Sequence, residues 1–223
     1  IAHVLVEDYK LKPGNRVLLR SCNNAEMVAC WFAVLKAGGI VVATMPLLRS
    51  KELSVMIECA EISHIISDIR LEEEVHPIDH TFLKHKIFFG SDPFDQLVAS
   101  KSKTFDNYPT KSEDIALIGF TSGTTGNPKM TAHYHKDVIN ICEAFPRFSL
   151  QPTEKDVFTG TPPIGFTFGL GGLVLFPMYF GASSVLLERP NPDILLETIE
   201  KYKVSICFTA PTAWRVLTEK CNN

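Results

Sequence analysis

Apolar residues recur along this chain in two rhythms, short unbroken runs and helical stripes, and the two alternate. Arg16-Val17-Leu18-Leu19-Arg20 follows a Lys12-Pro13-Gly14-Asn15 turn and reads as a strand. Asn24 is an N-cap residue for a helix Ala25–Lys36 that stops at Gly38-Gly39. Met27, Val28, Cys30, Trp31, Phe32, Val34 and Leu35 make that helix apolar almost all round, which predicts burial between layers. Ile40-Val41-Val42-Ala43 is the next strand, closed by Pro46. Strand, helix and strand with short connections imply a right-handed parallel unit. Ser50–Ala60 reads as a further helix, and Ser63–Ser67 and Lys86–Phe89 as strands. Ser91–Glu113, with Pro93 and Pro109, is polar and reads as a long surface connection.

The second half continues the alternation. Ile115-Ala116-Leu117-Ile118-Gly119-Phe120 is a buried strand by its pattern, Met130–His133 another strand and Lys136–Phe145 a helix. From Val157 to Leu187 there is no Asp, Glu, Lys, Arg or His. A membrane-spanning helix needs about 20 apolar residues, but Pro162, Pro163, Pro177 and the glycines at 160, 165, 169, 171, 172 and 181 would break it. A buried strand, a Gly-rich pocket loop, a helix near Leu170–Tyr179 and a strand Ser184–Leu187 fit better, so no transmembrane segment is expected. Asn191 then caps a helix with Pro192 and Asp193 in its first turn. Val204–Phe208 is a strand leading through Ala210-Pro211-Thr212 into a last helix. Strands alternating with helices predict an α/β fold of layered parallel sheets with helices on the faces.

The 223 residues are 45% hydrophobic and 21% charged, with a net charge of −3. These are ordinary globular values. They show no basic stripe, so no nucleic-acid partner is expected. Cys22, Cys30, Cys59, Cys142, Cys207 and Cys221 form no C-x-x-C pair and read as reduced thiols of an intracellular protein. His133-x-His135 has no Cys or carboxylate at ligand spacing. Glu72-Glu73-Glu74 with His76, His80 and His85 reads as a solvated face and loop, so no metal site is assigned to either. The chain begins at Ile1 inside what looks like a helix, and the expectation is a fragment of a longer protein.

One stretch carries chemistry. After the strand at 115–120 comes Thr121-Ser122-Gly123-Thr124-Thr125-Gly126-Asn127-Pro128-Lys129. Gly123 and Gly126 tolerate backbone angles that let successive N–H groups converge on one anion. Thr121, Ser122, Thr124 and Thr125 add hydroxyl donors, Lys129 adds a point charge, and Pro128 fixes φ ahead of it. A P-loop requires four residues between its glycines and Lys directly after the second. The spacing here differs, so this is another kind of phosphate cradle.

That run resembles the signature loop of the adenylate-forming (AMP-dependent synthetase/ligase) superfamily. Leu35-Lys36-Ala37-Gly38-Gly39 with Pro46, Pro163-Ile164-Gly165-Phe166-Thr167-Phe168-Gly169, and Thr209-Ala210-Pro211-Thr212 are similar to further segments of it, in the same order. Pro162-Pro163 followed by Phe-Thr-Phe-Gly-Leu-Gly-Gly is similar to benzoate- and 2-aminobenzoate-CoA ligases in particular. The resemblance implies that residues 1–223 are part of the large N-terminal domain, with the C-terminal domain absent. It also implies an acid–CoA ligase that uses ATP and Mg²⁺ to make acyl-AMP from a small carboxylic acid, aryl or medium-chain, and then coenzyme A to make the thioester. Thr121, Ser122, Gly123, Thr124, Thr125, Gly126 and Lys129 would bind the ATP phosphates. Phe166, Phe168, Gly169, Ala210 and Pro211 would line the acyl and CoA pocket, with Phe166 at the gate. The expected compartment is the cytoplasm, with the mitochondrion as the alternative.

The chain also departs from the family. Met130 stands where many relatives have Gly, and no Tyr-Gly-x-Thr-Glu occurs. The Glu that holds Mg²⁺ and the lysine that serves adenylation would therefore lie beyond Asn223. No catalytic residue is identified in this piece, and alone it is expected to be inactive. A nucleotide- or acyl-binding module without turnover, or an adenylating enzyme of luciferase or peptide-synthetase type, are the other readings.

Overall fold

The apolar middle of the first predicted strand, Val17, Leu18 and Leu19, has no solvent exposure, because β1 (Arg16–Arg20) lies inside a six-stranded sheet. The computed structural model describes residues 1–121 and 129–221. The chain divides into two compact units, residues Ile1–Ser21 with Ala25–Asp137, and Cys22–Asn24 with the chain from Val138 onward.

In the first unit the strand order is β4-β3-β1-β2-β5-β6, with β2 Ile40–Thr44, β3 His64–Asp68, β4 His85–Phe89, β5 Ile115–Thr121 and β6 Lys129–Tyr134. The pairings from β4 through to β5 are parallel, as the alternating pattern implies. β6 is antiparallel to β5. Leu18, Val42 and Ile65 of the sheet pack against Leu53, Met56 and Ile57 of α3 (Ser50–Ala60) in one buried cluster. Fully burying each such side chain is worth about 1.5–3 kcal/mol, which holds α3 on the sheet. Arg20 is also buried. Its guanidinium donates to the carbonyls of Pro46, Leu48 and Leu71, tying down the connections that follow β2 and β3.

Two expectations are corrected in this unit. The helix α2 (Ala25–Lys36) buries Met27, Cys30, Trp31, Ala33 and Val34 but leaves Ala25, Glu26, Ala29 and Lys36 exposed, so it covers one face and is not sandwiched. The supposed connection at 91–113 contains a helix, α4 (Asp92–Ser100), with Phe94 buried. Pro93 lies in its first turn, where a missing N–H costs nothing, and Asp92 and Asp95 favour that end. The stretch after α4 is pinned at both ends. His3 of α1 (Ala2–Glu7) bonds to Thr104 O at 2.7 Å, Tyr108 N donates to Lys36 O at 2.8 Å, and the Tyr108 ring covers Gly38.

The second unit is built on a parallel sheet β8-β7-β9, with β7 Val157–Gly160, β8 Ser183–Val185 and β9 Ile206–Phe208. Between β7 and β8 the chain runs through a loop at 161–166, and the helix expected near Leu170–Tyr179 follows, starting three residues earlier. α6 (Thr167–Leu170) runs through a π-helical turn, Gly171–Leu175, into α7 (Phe176–Phe180). The turn is wholly buried, which accounts for the uncharged sequence. Among the described residues no helix is long and apolar enough to cross a membrane. α8 (Pro192–Tyr202) starts as predicted, with Asn191 Oδ1 accepting from Ile194 N at 2.9 Å. α9 (Pro211–Cys221) packs beside it, with Leu187, Leu195 and Leu217 in a shared core.

Candidate functional site

The predicted phosphate loop joins β5 to β6. Its first and last residues face each other across the hairpin, Thr121 opposite Lys129, and Thr121 Oγ1 donates to Lys129 O at 3.5 Å. Two residues back, Thr131 Oγ1 donates to Gly119 O at 3.2 Å. Ser122, Gly123, Thr124, Thr125 and Gly126 lie outside the described residues. The flanks are open, with Thr121, Lys129 and Met130 all exposed. The loop therefore leaves from the carboxyl end of a strand in a parallel sheet, the end at which open α/β sheets bind ligands.

The second unit brings its candidate residues to the carboxyl ends of β7 and β9. Thr161 N donates to Phe208 O at 3.0 Å, and the hydroxyls of Thr161 and Thr209 are 2.6 Å apart. The Pro162-Pro163-Ile164 segment that follows is gripped by one side chain. Asn23 Nδ2 donates to Pro162 O at 2.9 Å, and Ile164 N donates to Asn23 Oδ1 at 2.8 Å. Next to it Asn24 Nδ2 donates to Glu188 Oε1 at 3.1 Å. Phe166 then takes the N-cap position of α6, and Leu170 N donates to its carbonyl at 2.8 Å.

The predicted pocket residues divide into two kinds. Phe166 and Phe168 are 39% and 53% exposed and present aromatic surface. Gly169 is packing, since a Cβ there would lie 2.1 Å from Pro163 O. Ala210 and Pro211 are exposed at the start of α9, where the Ala210 carbonyl accepts from Ala213 N and Trp214 N. Sequence reasoning missed the residue that joins them. Phe208 stacks on Phe158 at 6.3 Å, meets Phe168 edge-on at 5.7 Å and touches Phe176 at 6.1 Å. As one apolar residue in a short apolar strand it gave no local signal. Asn23 was missed because its partners lie about 140 positions away, and Thr209 was singled out only within Thr209-Ala210-Pro211-Thr212, without its Thr161 partner.

Burial pushes the thiols of Cys142 and Cys207 up to about 11, which leaves them protonated and poorly nucleophilic at neutral pH. A separate cleft of about 500 Å³, lined by Leu196, Ile199, Cys207, Trp214 and Leu217 among others, is apolar and offers no charged group to a phosphate. Among the described residues no group of three His, Cys, Asp or Glu is placed to hold a metal.

The family described as AMP-binding enzyme matches residues 1–223. The chain belongs to that family. It is 27% identical over 92% of its length to benzoate–CoA ligase of Thauera aromatica, of which it covers 40%. It is 28% identical over 98% of its length to the human mitochondrial acyl-coenzyme A synthetase ACSM3, covering 39% of that protein. A solved anthranilate CoA ligase, AuaEII, in complex with anthranoyl-AMP superposes with a TM-score of 0.88 at 28% identity, over 96% of this chain and 43% of that one. The chain thus spans about 40% of the length of the curated relatives it matches. The mostly parallel α/β architecture of this chain is that of the N-terminal domain of adenylate-forming enzymes.

Proposed function

We propose that the protein to which this chain belongs is an ATP-dependent acid–CoA ligase, and that residues 1–223 are the first part of its large N-terminal domain. The observation that carries this is the adenylate-forming loop sequence, bracketed by the Thr121–Lys129 pair at the carboxyl end of β5, in a chain whose relatives are CoA ligases by name. In the first step a carboxylate oxygen bonds to the α-phosphorus of ATP, the bond to the bridging oxygen breaks and pyrophosphate leaves. In the second, a coenzyme A thiolate bonds to the acyl carbon and AMP leaves. Attack of one anion on another requires aimed donors and positive charge. Thr121, Ser122, Gly123, Thr124, Thr125, Gly126 and Lys129 are the residues we assign to the phosphates. Mg²⁺ would accompany the nucleotide, but no described cluster fits it, so it is assigned to no residue of this chain. The Glu and Lys that complete the reaction belong, in this reading, to the remaining length.

Phe166, Phe168, Ala210 and Pro211 we assign to the organic end of the acid, with Gly169 behind them letting the Pro163 carbonyl close against α6. Exposed phenylalanine rings favour a flat aryl acid by about 0.5–1.5 kcal/mol beyond area burial, and Phe166 would obstruct a long aliphatic tunnel. The free thiols of Cys30, Cys59, Cys142 and Cys207 suit the reducing cytoplasm. The test is thioester formation by the full-length enzyme with benzoate, 2-aminobenzoate, octanoate and palmitate. Highest catalytic efficiency with benzoate or its 2-amino derivative is expected. Palmitate as the best substrate overturns the aryl assignment, and ATP binding without acid-dependent pyrophosphate release overturns the ligase itself.

A further inference from the structure

At the edge of the six-stranded sheet, at the end opposite the one from which β5 feeds the phosphate loop, two histidines stand face to face. His64 opens β3, His85 opens β4, and they are direct register partners. Their ring centroids are 4.9 Å apart and tilted by 30°. The Tyr9 ring meets His85 edge-on at 5.6 Å. His64 is 3% exposed and its bonds define its protonation. Nε2 lies 2.9 Å from Tyr9 O, a carbonyl that can only accept, so Nε2 carries the proton. Nδ1 is then the acceptor for the Ser63 hydroxyl at 2.7 Å. The neutral ring is fully satisfied. A proton on Nδ1 would make it a donor to the Ser63 oxygen and turn the Ser63 hydroxyl to Arg16 O at 3.4 Å, so the cost of charging lies in burial and in the second imidazole.

The surroundings supply no compensating charge. From the connection between α1 and β1, Asp8 is turned to Lys101 at 2.7 Å and Lys10 to the carbonyl of Glu7. From β1 the register partner of His64 is Val17. Beside β4, Lys84 donates to Thr81 O and Lys86 to His76 O. Among the described residues no carboxylate pairs with either imidazole. Two protonated rings stacked at this distance would repel one another across a poorly solvated gap.

We propose that the stacked His64–His85 pair is an acid-sensitive latch, which holds the Asp8–Leu11 connection on the sheet at neutral pH and releases it when the imidazoles take up protons. Lys10 follows α1 at φ 56, the left-handed conformation that Glu61, Gln151 and Lys203 also take at helix ends, and Tyr9 beside it carries the connection's contacts to the two imidazoles. Burial pushes His64 below its ordinary 6.5, with Tyr9 O opposing and His85 reinforcing the shift, and burial lowers His85 too. Both groups therefore bind protons better in the released state. The latch is fully engaged above about pH 6.5 and weakens as the pH falls through and below that value. The far end of α1 behaves oppositely. His3 is raised by its bonds to Thr104 O and Glu7 and keeps its hold on acidification, so acid opens the connection alone.

The experiment is amide hydrogen exchange between pH 7.5 and 5, expressed as protection relative to intrinsic rates. The amides of Tyr9 and Leu11, which donate to Val4 O and Leu5 O, report the latch. Their protection should fall by up to about tenfold per pH unit for each imidazole that charges on opening, while β1 stays protected. His85→Phe keeps a stacked ring that cannot charge, and His64→Gln keeps a donor for Tyr9 O. The double variant should abolish the pH dependence. Should that variant not fold, imidazole titration of the natural sequence by NMR replaces it, and both rings must titrate below 6.5 in step with the loss of protection. Constant protection down to pH 5, an unaltered profile in the double variant, or titration of both rings at ordinary values with the connection still docked would each overturn the latch.

Discussion

The ring of Phe208 lies on Gly172, where a Cβ would come within 2.6 Å of the ring atom Cδ1. Phe208 is held from its other sides by Phe158, Phe168 and Phe176, so it has no easy direction of retreat. Gly172→Ala should therefore destabilise the protein by about 1–3 kcal/mol, the usual cost of overpacking. Phe208→Leu in the same molecule should recover part of it. Urea unfolding of both single variants and the double variant gives the coupling, expected at about 0.5–3 kcal/mol. Strict additivity would show that the two residues do not press on each other.

Asn23 holds the segment ahead of Phe166 with one donor and one acceptor. Asn23→Ala leaves the buried Ile164 N–H without its partner, at a cost of about 1–3 kcal/mol. A fall in unfolding free energy of that size is expected. With the pocket segment loosened, KM for the acid in the full-length enzyme should rise. A KM that stays constant while stability falls would confine Asn23 to folding.

Lys129→Ala should do the reverse. The side chain is exposed, so stability should change by less than about 0.5 kcal/mol. A hydrogen bond to a charged group is worth about 1.5–3 kcal/mol, so kcat/KM for ATP in the full-length enzyme should fall roughly tenfold to a hundredfold. Steady-state kinetics with varied ATP decides this, and unaltered kinetics would make Lys129 an ordinary surface residue.

Asp156 accepts from Thr153 N at 2.7 Å and from Ser205 Oγ at 2.7 Å, and Ser205 Oγ in turn accepts from Val157 N at 3.0 Å. These bonds, the Thr153 backbone first and then the Ser205 hydroxyl, hold the carboxyl below its ordinary 3.8. A depressed pKa stabilises the fold above 3.8, and that contribution is lost as the pH falls through and below this value. Asp156→Asn should therefore lower stability at neutral pH and flatten the acid limb of the stability profile. Parallel acid limbs in the two proteins would show that Asp156 does not contribute to it.

Where the chain's signals were local, they read correctly. Asn191 was visible as a cap because its partner is Ile194, three residues on. The family was visible because its loop signature is a matter of residue types in one short run. Reading failed where one residue type serves two ends. Pro93 was read as a breaker, but proline breaks helices only past their first turn, and here it helps begin α4. Gly169 was read into a pocket loop and Gly172 into a helix. They are there because neighbouring groups come too close for a Cβ, and the helix through Gly171–Leu175 survives them by being buried.

The amino-acid sequence by itself determined the alternation of strands and helices and the family, because each depends on neighbours along the chain. Only the tertiary structure decided that β6 returns antiparallel so that Thr121 faces Lys129, that Phe208 gathers the aromatic rings, that Asn23 grips Ile164 from 141 positions away, and that His64 meets His85. Apart from the Thr121–Lys129 hairpin, these are contacts between residues far apart in sequence. The folded backbone sets their separations, and no periodicity of hydrophobic and polar positions encodes which two will meet.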